Sequence, residues 1–211
     1  ADIHGIPQAK WRSFKAYEYR KSSKALLEEA VSYLGYPIFV KPANTGSSVG
    51  VSKAKNRQSL EEAVELAFKN DDKVVLEQSI DGMEVECAVL GNNEPLASIP
   101  GEVVPCNEFY DFDAKYISGT SELHIPARLQ EDKLEEIRKS ACKVYKALGC
   151  SGLARVDFFV QKSDGAILLN EPNTIPGFTS ISMYPKMFAA SGIPYPDLLD
   201  KLFCLAIEKW S

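Results

Sequence analysis

The stretch LARVDFFVQKSDGAILLNEPN, Leu153–Asn173, decides how the rest of the chain is read. LARVDFFV and AILLNEPN have the apolar, branched and aromatic content of strands, and QKSDG between them is a tight turn. Side chains two apart on a strand share a face. Arg155 therefore lies on the side of Asp157, and Glu171 on the side of Asn173. Folding about Ser163–Gly165 pairs Asp157 with a residue near 170–172 and can gather two carboxylates, an amide oxygen and a guanidinium on one patch. Clustered carboxylates repel, and Arg155 neutralises them only in part. Oxygen donors of this kind suit Mg²⁺, completed by phosphate and water. The alternative is a salt-bridged sheet surface.

The next residues, TIPGFTSISM (Thr174–Met183), lead into a helix that runs through YPKMF. Gly177 permits close backbone approach. Thr179, Ser180 and Ser182 can cap the helix, whose free N–H groups and positive dipole end suit a carboxylate or phosphate. Ordinary capping is the competing reading.

Upstream, KPANTGSSVGV (Lys41–Val51) follows the strand-like YPIFV. Lys41 at the strand end can reach phosphate oxygens, and the N–H groups of Gly46–Gly50 can cradle them. The Walker A pattern is absent, and taken alone the loop is better read as a hairpin turn. Glu77 ends the strand VVLEQSI and Glu84 follows it; a strand end can offer backbone groups and a carboxylate to a nucleobase amine, and a second carboxylate to ribose. Together with the carboxylate patch, these features imply a nucleotide held by two lobes.

The remaining pattern fits an α/β (α+β) chain. Helices are expected at Ser22–Gly35, at Ser59–Asn70 with Ser59 and Glu62 as a capping box, at Glu131–Gly149 with Leu134, Ile137, Ala141, Val144 and Leu148 on one face, and in the closing PDLLDKLFCLAIEKW. Strands are expected at DKVVLEQSI, EVECAVLG and PLASIPGEVVP. The stretch Cys106–Ala127 is polar and aromatic without clear period, and long connections of this kind are usually functional. The boundary falls near Gly82–Glu84, giving residues 1–83 and 84–211.

Composition narrows the function. The 211 residues carry a net charge of −5, which argues against nucleic acid or an anionic membrane as partner. No apolar run reaches the roughly 20 residues of a membrane span. The five cysteines are odd in number and include no CxxC pair, which argues against a disulfide framework or zinc and for a reducing cytoplasm. The start lacks Met and HGIPQA reads as a junction, so a fragment is expected.

The set FVKPANTGSSVGV, VLEQSIDGMEVE, FYDFDAKYISGTSELHIPARL, GLARVDFFV and LLNEPNTIPGFTSISMYPKMF resembles the D-alanine–D-alanine ligases of the ATP-grasp superfamily, over essentially the whole chain. The last motif is the most specific. The resemblance implies an ATP-grasp fold of two lobes, each a mainly antiparallel sheet with packed helices, and covers only the central and C-terminal domains. It implies that ATP phosphorylates one D-alanine and that a second attacks the acyl phosphate, for peptidoglycan precursor synthesis in the bacterial cytoplasm.

Carried over by motif, the resemblance implies these roles. Lys41 and Lys115 contact ATP phosphates, while Ser47, Ser48 and Val49 close over them and the reacting centre. Glu77, Gln78 and Ile80 hold adenine, and Glu84 holds ribose. Asp157, Glu171 and Asn173 bind two Mg²⁺, for which Mn²⁺ can substitute. Arg155 and the Gly177 N–H stabilise developing oxyanion charge. Ser182 and Met183 bind the carboxylate of the second D-alanine. Tyr116, beside Lys115, and the apolar Met183 favour D-alanine as that substrate over D-serine or D-lactate. Members are commonly homodimers, and their N-terminal domain supplies part of the first D-alanine pocket, so this chain alone is expected to show little or no ligation. A non-catalytic ATP-binding module is the reading from another class.

Overall fold

A computed structural model describes residues 4–46, 48–104, 122–179 and 181–211. It divides into two compact units: Ala9–Ile80 forms one, and Asp81–Val104 with Glu122–Ser211 and the segment ending at Gln8 forms the other.

The first unit runs β1 (Trp11–Lys15), α1 (Ala16–Leu34), β2 (Ile38–Pro42), β3 (Ser52–Ala54), α2 (Arg57–Phe68) and β4 (Lys73–Gln78). Its strands form an antiparallel sheet in the order β1-β4-β2-β3. Alternation sorts the side chains. Ile38, Val40, Val74 and Leu76 are fully buried with Leu27, Leu60, Val64 and Ala67 of the two helices, each large aliphatic side chain contributing about 2 kcal/mol. Phe39, Lys41, Val75 and Glu77 occupy the other face.

Both helices start earlier than the sequence reading places them. α1 begins at Ala16, and Ser22 is a non-helical residue inside it (φ −149°, ψ 40°), so the segment expected from Ser22 is the second of two joined helices. α2 begins at Arg57 under Asn56, whose side chain accepts from the Ser59 N–H at 3.0 Å. The Ser59 hydroxyl accepts from the Asn56 N–H at 3.1 Å, so the reciprocal cap uses Asn56 and Ser59 rather than Ser59 and Glu62. Glu62 accepts instead from Gln58 at 3.0 Å.

The second unit runs β5 (Gly82–Gly91), β6 (Leu96–Ala97), β7 (Gly101–Val104), β8 (Glu122–His124), α3 (Glu131–Ala147), β9 (Gly152–Gln161), β10 (Ile167–Asn173), α4 (Met183–Ala190) and α5 (Tyr195–Trp210). The order is β10-β9-β5-β7-β8, with β6 beside β5, antiparallel throughout. The run PLASIPGEVVP divides into β6 and β7 around Ser98–Pro100, where the Ser98 hydroxyl accepts from the Ala88 N–H at 3.0 Å. The last part of the stretch expected to lack period supplies β8.

One face of this sheet, with Val85, Cys87, Val89, Val156, Phe158 and Leu169, packs on α3. Leu134, Ile137, Ala141 and Val144 point inward as expected, but Tyr145 completes the buried face and Leu148 is exposed. Tyr145 donates its hydroxyl to the Gly91 carbonyl at 2.6 Å, which a leucine could not do. α4 packs against β5, and its Tyr184 donates to the Val89 carbonyl at 3.0 Å. The fold is thus α+β with two antiparallel sheets. Among the described residues no helix is long and apolar enough to cross a membrane.

Candidate active site

The carboxylate patch depends on one irregularity in β10. Leu169 lies opposite Phe158, yet Glu171, two residues on, lies opposite Asp157, a single step along β9. Asn170 is the extra residue of a β-bulge. In an unbroken register Asn170 would face Asp157, and Glu171 would point with Leu169 into the core. The bulge transfers Glu171 and Asn173 to the face that carries Arg155 and Asp157.

There the side chains converge. Arg155 donates through Nε and Nη2 to the two oxygens of Asp157, both at 2.7 Å. Asn173 Nδ2 donates to Asp157 Oδ2 at 3.0 Å and lies 3.4 Å from Glu171 Oε1. A third carboxylate joins them from β5: Glu86 faces Asp157 across the ladder, and its Oε2 lies 3.3 Å from Arg155 Nε. Asp157 is 3% exposed and Glu86 5%, whereas Glu171 reaches solvent. Burial works against the Arg155 charge, but the bonds to Asp157 and the charges of Asp157, Glu86 and Glu171 outweigh it and hold the guanidinium above its ordinary range. Glu84, two residues before Glu86, shares its face of β5 and is half-buried.

Beyond β10 the backbone turns back on itself. Ser182 stands at the N-cap of α4, but its hydroxyl does not cap: it accepts from the Thr179 N–H at 3.0 Å and meets Thr179 Oγ1 at 2.8 Å. Pro185, third in the helix, has no N–H to offer such a cap. Gly177 fits closely here, since a Cβ on it would lie 2.9 Å from Ser182 Oγ. Met183 is buried, and its Cε would clash with a Cβ on Gly101.

In the first unit, Lys41 and Glu77 meet in an ion pair at 2.8 Å on the face opposite the helices. Lys53, opposite Phe39 in the ladder, sets its ammonium 5.5 Å from that ring. Gln78 donates its N–H to the Lys10 carbonyl at 2.9 Å, and Ile80 is half-buried at the end of the unit. The glycine loop is pinned at both ends. Asn44 donates its backbone N–H and its Nδ2 to Asp71 Oδ2 at 2.6 and 2.9 Å. Gly50, at φ 74°, comes so close to Asn70 that a Cβ would lie 2.7 Å from Nδ2. Ser48 takes φ 59°, and the Val49 and Val51 N–H groups donate to the Gly46 and Ser48 carbonyls at 3.2 and 3.3 Å. The Val49 amide, expected at a phosphate, therefore serves the turn itself.

Ser47, Lys115 and Tyr116 lie outside the described residues. Glu86, Phe39 and Lys53 belong to these faces and were not named from the sequence. Alternation could have found Glu86, which sits two residues after Glu84 on β5. Among the described residues no three histidine, cysteine or acidic side chains form a ready metal cage. The available donors are the Asp157 and Glu171 carboxylates and the Asn173 amide, an oxygen set that fits Mg²⁺ with its retained waters and phosphate ligands. Half a turn about the Asn173 Cβ–Cγ bond exchanges Nδ2 for Oδ1 and turns an oxygen toward the carboxylates.

Comparison with known proteins gives a consistent result. Residues 2–204 match the family model described as D-ala D-ala ligase C-terminus. The D-alanine–D-alanine ligase of Acetivibrio thermocellus is 53% identical over 207 residues, 98% of this chain and 55% of that enzyme. That of Caldicellulosiruptor bescii is also 53% identical, over 98% of this chain and 57% of the enzyme. Among solved structures, the D-Ala:D-Ser ligase VanG from Enterococcus faecalis superposes with a TM-score of 0.87 at 41% identity, covering 97% of this chain and 58% of that one. The D-alanine–D-alanine ligase of Coxiella burnetii gives 0.82 at 38% identity, covering 99% and 55%. The chain spans a little over half the length of each.

Proposed function

The chain belongs to the D-alanine–D-alanine ligase family, matching its C-terminal part, and from that premise we propose that it supplies the ATP- and Mg²⁺-binding part of an enzyme that joins two D-alanines in the bacterial cytoplasm. The observation that carries the reading is the bulged pairing of Asp157 with Glu171, closed by Arg155 and Asn173.

Asp157, Glu171 and Asn173 would hold the metal. Bound Mg²⁺ would offset phosphate charge and orient the transferring group. Lys41, on leaving Glu77, would contact phosphate oxygens, with Ser48 and Val49 of the glycine loop nearby in sequence. Glu77, Gln78 and Ile80 would hold the base and Glu84 the ribose. The first D-alanine carboxylate takes the terminal phosphoryl group of ATP and ADP leaves. The amine of the second D-alanine attacks the acyl carbon, the C–N bond forms to give a tetrahedral intermediate, and its collapse expels phosphate as the nitrogen gives up a proton. Arg155 is anchored by Nε and Nη2, and its Nη1 takes part in none of those bonds. It and the Gly177 N–H would receive the oxyanion charge of the tetrahedral intermediate. Ser182 and the Met183 N–H would hold the second D-alanine carboxylate.

The test is ligation by the full-length protein carrying this chain, with ATP, Mg²⁺ and D-alanine, read as dipeptide mass and phosphate release. Phosphate release that does not depend on D-alanine refutes the reading. The similarity to VanG makes D-serine the competing second substrate. Competition between D-alanine, D-serine and D-lactate, resolved by product mass, separates the three. The 211-residue chain alone should show less than a hundredth of the full-length turnover, as expected from losing substrate-positioning groups.

A further inference from the structure

We propose that Glu86 is a positioning residue for Arg155: it fixes the guanidinium from β5, so that Arg155 keeps its aim when Asp157 is drawn toward a cation. The role rests on the ligase reading for its catalytic consequence, though not for its geometry.

Arg155 and Asp157 sit on one strand, two residues apart, joined by two parallel bonds of 2.7 Å. Such a pair fixes the guanidinium only relative to the carboxylate. Rotation about the Asp Cβ–Cγ bond is soft and broad. If Asp157 is the sole anchor, any turn of its carboxylate carries Arg155 with it. A group that must meet developing charge at a fixed point needs a second anchor on another element.

Glu86 has that position. It lies directly opposite Asp157 on the neighbouring strand, is 5% exposed, and places Oε2 3.3 Å from Arg155 Nε. The Nε–H donates to Asp157 on β9, and the Glu86 carboxylate on β5 holds the same nitrogen in an ion pair from the other strand. Like charges directly opposite in a ladder are unfavourable, and the Glu86–Asp157 pairing would be a poor choice for the sheet alone. A glutamine would have similar volume without the repulsion. The carboxylate gains its worth from Arg155, which lies against both.

The decisive experiment follows the Arg155 ¹⁵Nε–H signal in the ¹⁵N-labelled 211-residue chain, assigned by its loss in Arg155→Lys. Glu86→Gln should speed solvent exchange of that proton about tenfold, the size of losing one charge-assisted contact, while the backbone amides of Val156 and Asp157 stay within twofold. Glu86→Asp, which keeps the charge and shortens the reach, should fall between. Unchanged Nε–H exchange in Glu86→Gln overturns the proposal. So does equal acceleration of the neighbouring backbone amides, which would mean a loosened sheet.

In the full-length protein, Glu86→Gln should lower kcat about tenfold with KM for ATP within twofold. It should have no further effect in an Arg155→Lys background, because both changes act through one group. Additive losses overturn the proposal. If the wild-type protein does not ligate D-alanine, the ligase reading falls, and the exchange measurement still decides the role of Glu86.

Discussion

Glu171→Gln should leave the fold as stable or more stable and remove its use. Glu86, Asp157 and Glu171 lie in one cross-strand row, and Arg155 is the cation bonded among them. Three carboxylates against one guanidinium leave a net charge of −2. Directly opposed side chains sit ~5 Å apart at Cβ. At ~6 Å between charges, the Glu171–Asp157 repulsion is about 0.7 kcal/mol in water-like dielectric and about 3 kcal/mol at an effective dielectric of ~20. Glu171 is exposed, so the lower figure governs, reduced further by its attraction to Arg155. Little opposes the gain. The Asn173 contact is long at 3.4 Å, and a glutamine oxygen can keep it. Urea unfolding at pH 7 should therefore show a change between zero and a gain of ~0.5 kcal/mol. Binding of Mn²⁺ with a non-hydrolysable ATP analogue, followed by electron paramagnetic resonance, should weaken by at least about 100-fold, since a ligand lost costs no less than a supporting contact. A variant less stable by more than ~1 kcal/mol, with Mn²⁺ binding unchanged, would make Glu171 part of a salt-bridged surface and refute the metal reading.

Two other ion pairs give further expected outcomes. Lys41→Met would remove the proposed phosphate contact and leave Glu77 without its 2.8 Å partner; calorimetry should show ADP affinity reduced about tenfold or more, the scale of one charged hydrogen bond, with the melting transition little moved because the pair is partly exposed. Arg128→Ala acts on the second unit, where Arg128 Nε and Nη2 reach the buried Glu102 at 2.8 and 2.7 Å. The Arg128 bonds, against the opposing cost of burial, hold the Glu102 carboxyl below its ordinary value of 4.5. A depressed carboxyl stabilises the fold above its unfolded pKa and loses that contribution as pH falls through the folded one. The variant should be destabilised at pH 7, and its deficit against wild type should shrink below about pH 4.5 in pH-dependent denaturation. A deficit constant from pH 7 to 3 would refute the pairing.

The parts of this molecule that follow a simple period were legible, and the parts that depend on an irregularity were not. Alternation placed Arg155 with Asp157, and turn composition placed their hairpin. The region 170–172 was identified, but the residue that faces Asp157 is settled by the bulge at Asn170, and no local propensity marks Asn170 as the extra residue. Helix starts slipped for a related reason. Ser59 and Glu62 have capping-box spacing, but Asn56 reaches the same Ser59 N–H from one turn earlier, and an asparagine is at least as good a cap. Tyr145 replaced Leu148 in the core because its hydroxyl found the Gly91 carbonyl, a long-range partner invisible to periodicity. Glu86 shares a face with Glu84 by alternation, but its place beside Asp157 depends on a strand pairing that no local pattern shows.

The two sheets use their strands in the same way, and charge distinguishes them. In the first unit the helices cover Ile38, Val40, Val74 and Leu76, leaving Lys41 and Lys53 with Glu77 on the other face. In the second, α3 covers Val85, Val156 and Phe158, leaving Glu86, Asp157 and Glu171 with Arg155. On the first face cations outnumber anions, and on the second the carboxylates, Glu84 among them, outnumber the one guanidinium. A sheet face selected for stability alone would pair its charges evenly or replace them with neutral residues, since a buried carboxylate beside another costs energy that Arg155 only partly offsets. On the function proposed above, Lys41 would meet an anion and the carboxylate row a divalent cation, and each surplus has the matching sign. That is why Glu171→Gln is the sharper test: it removes surplus charge while leaving the Arg155–Asp157 bonds of the sheet face intact.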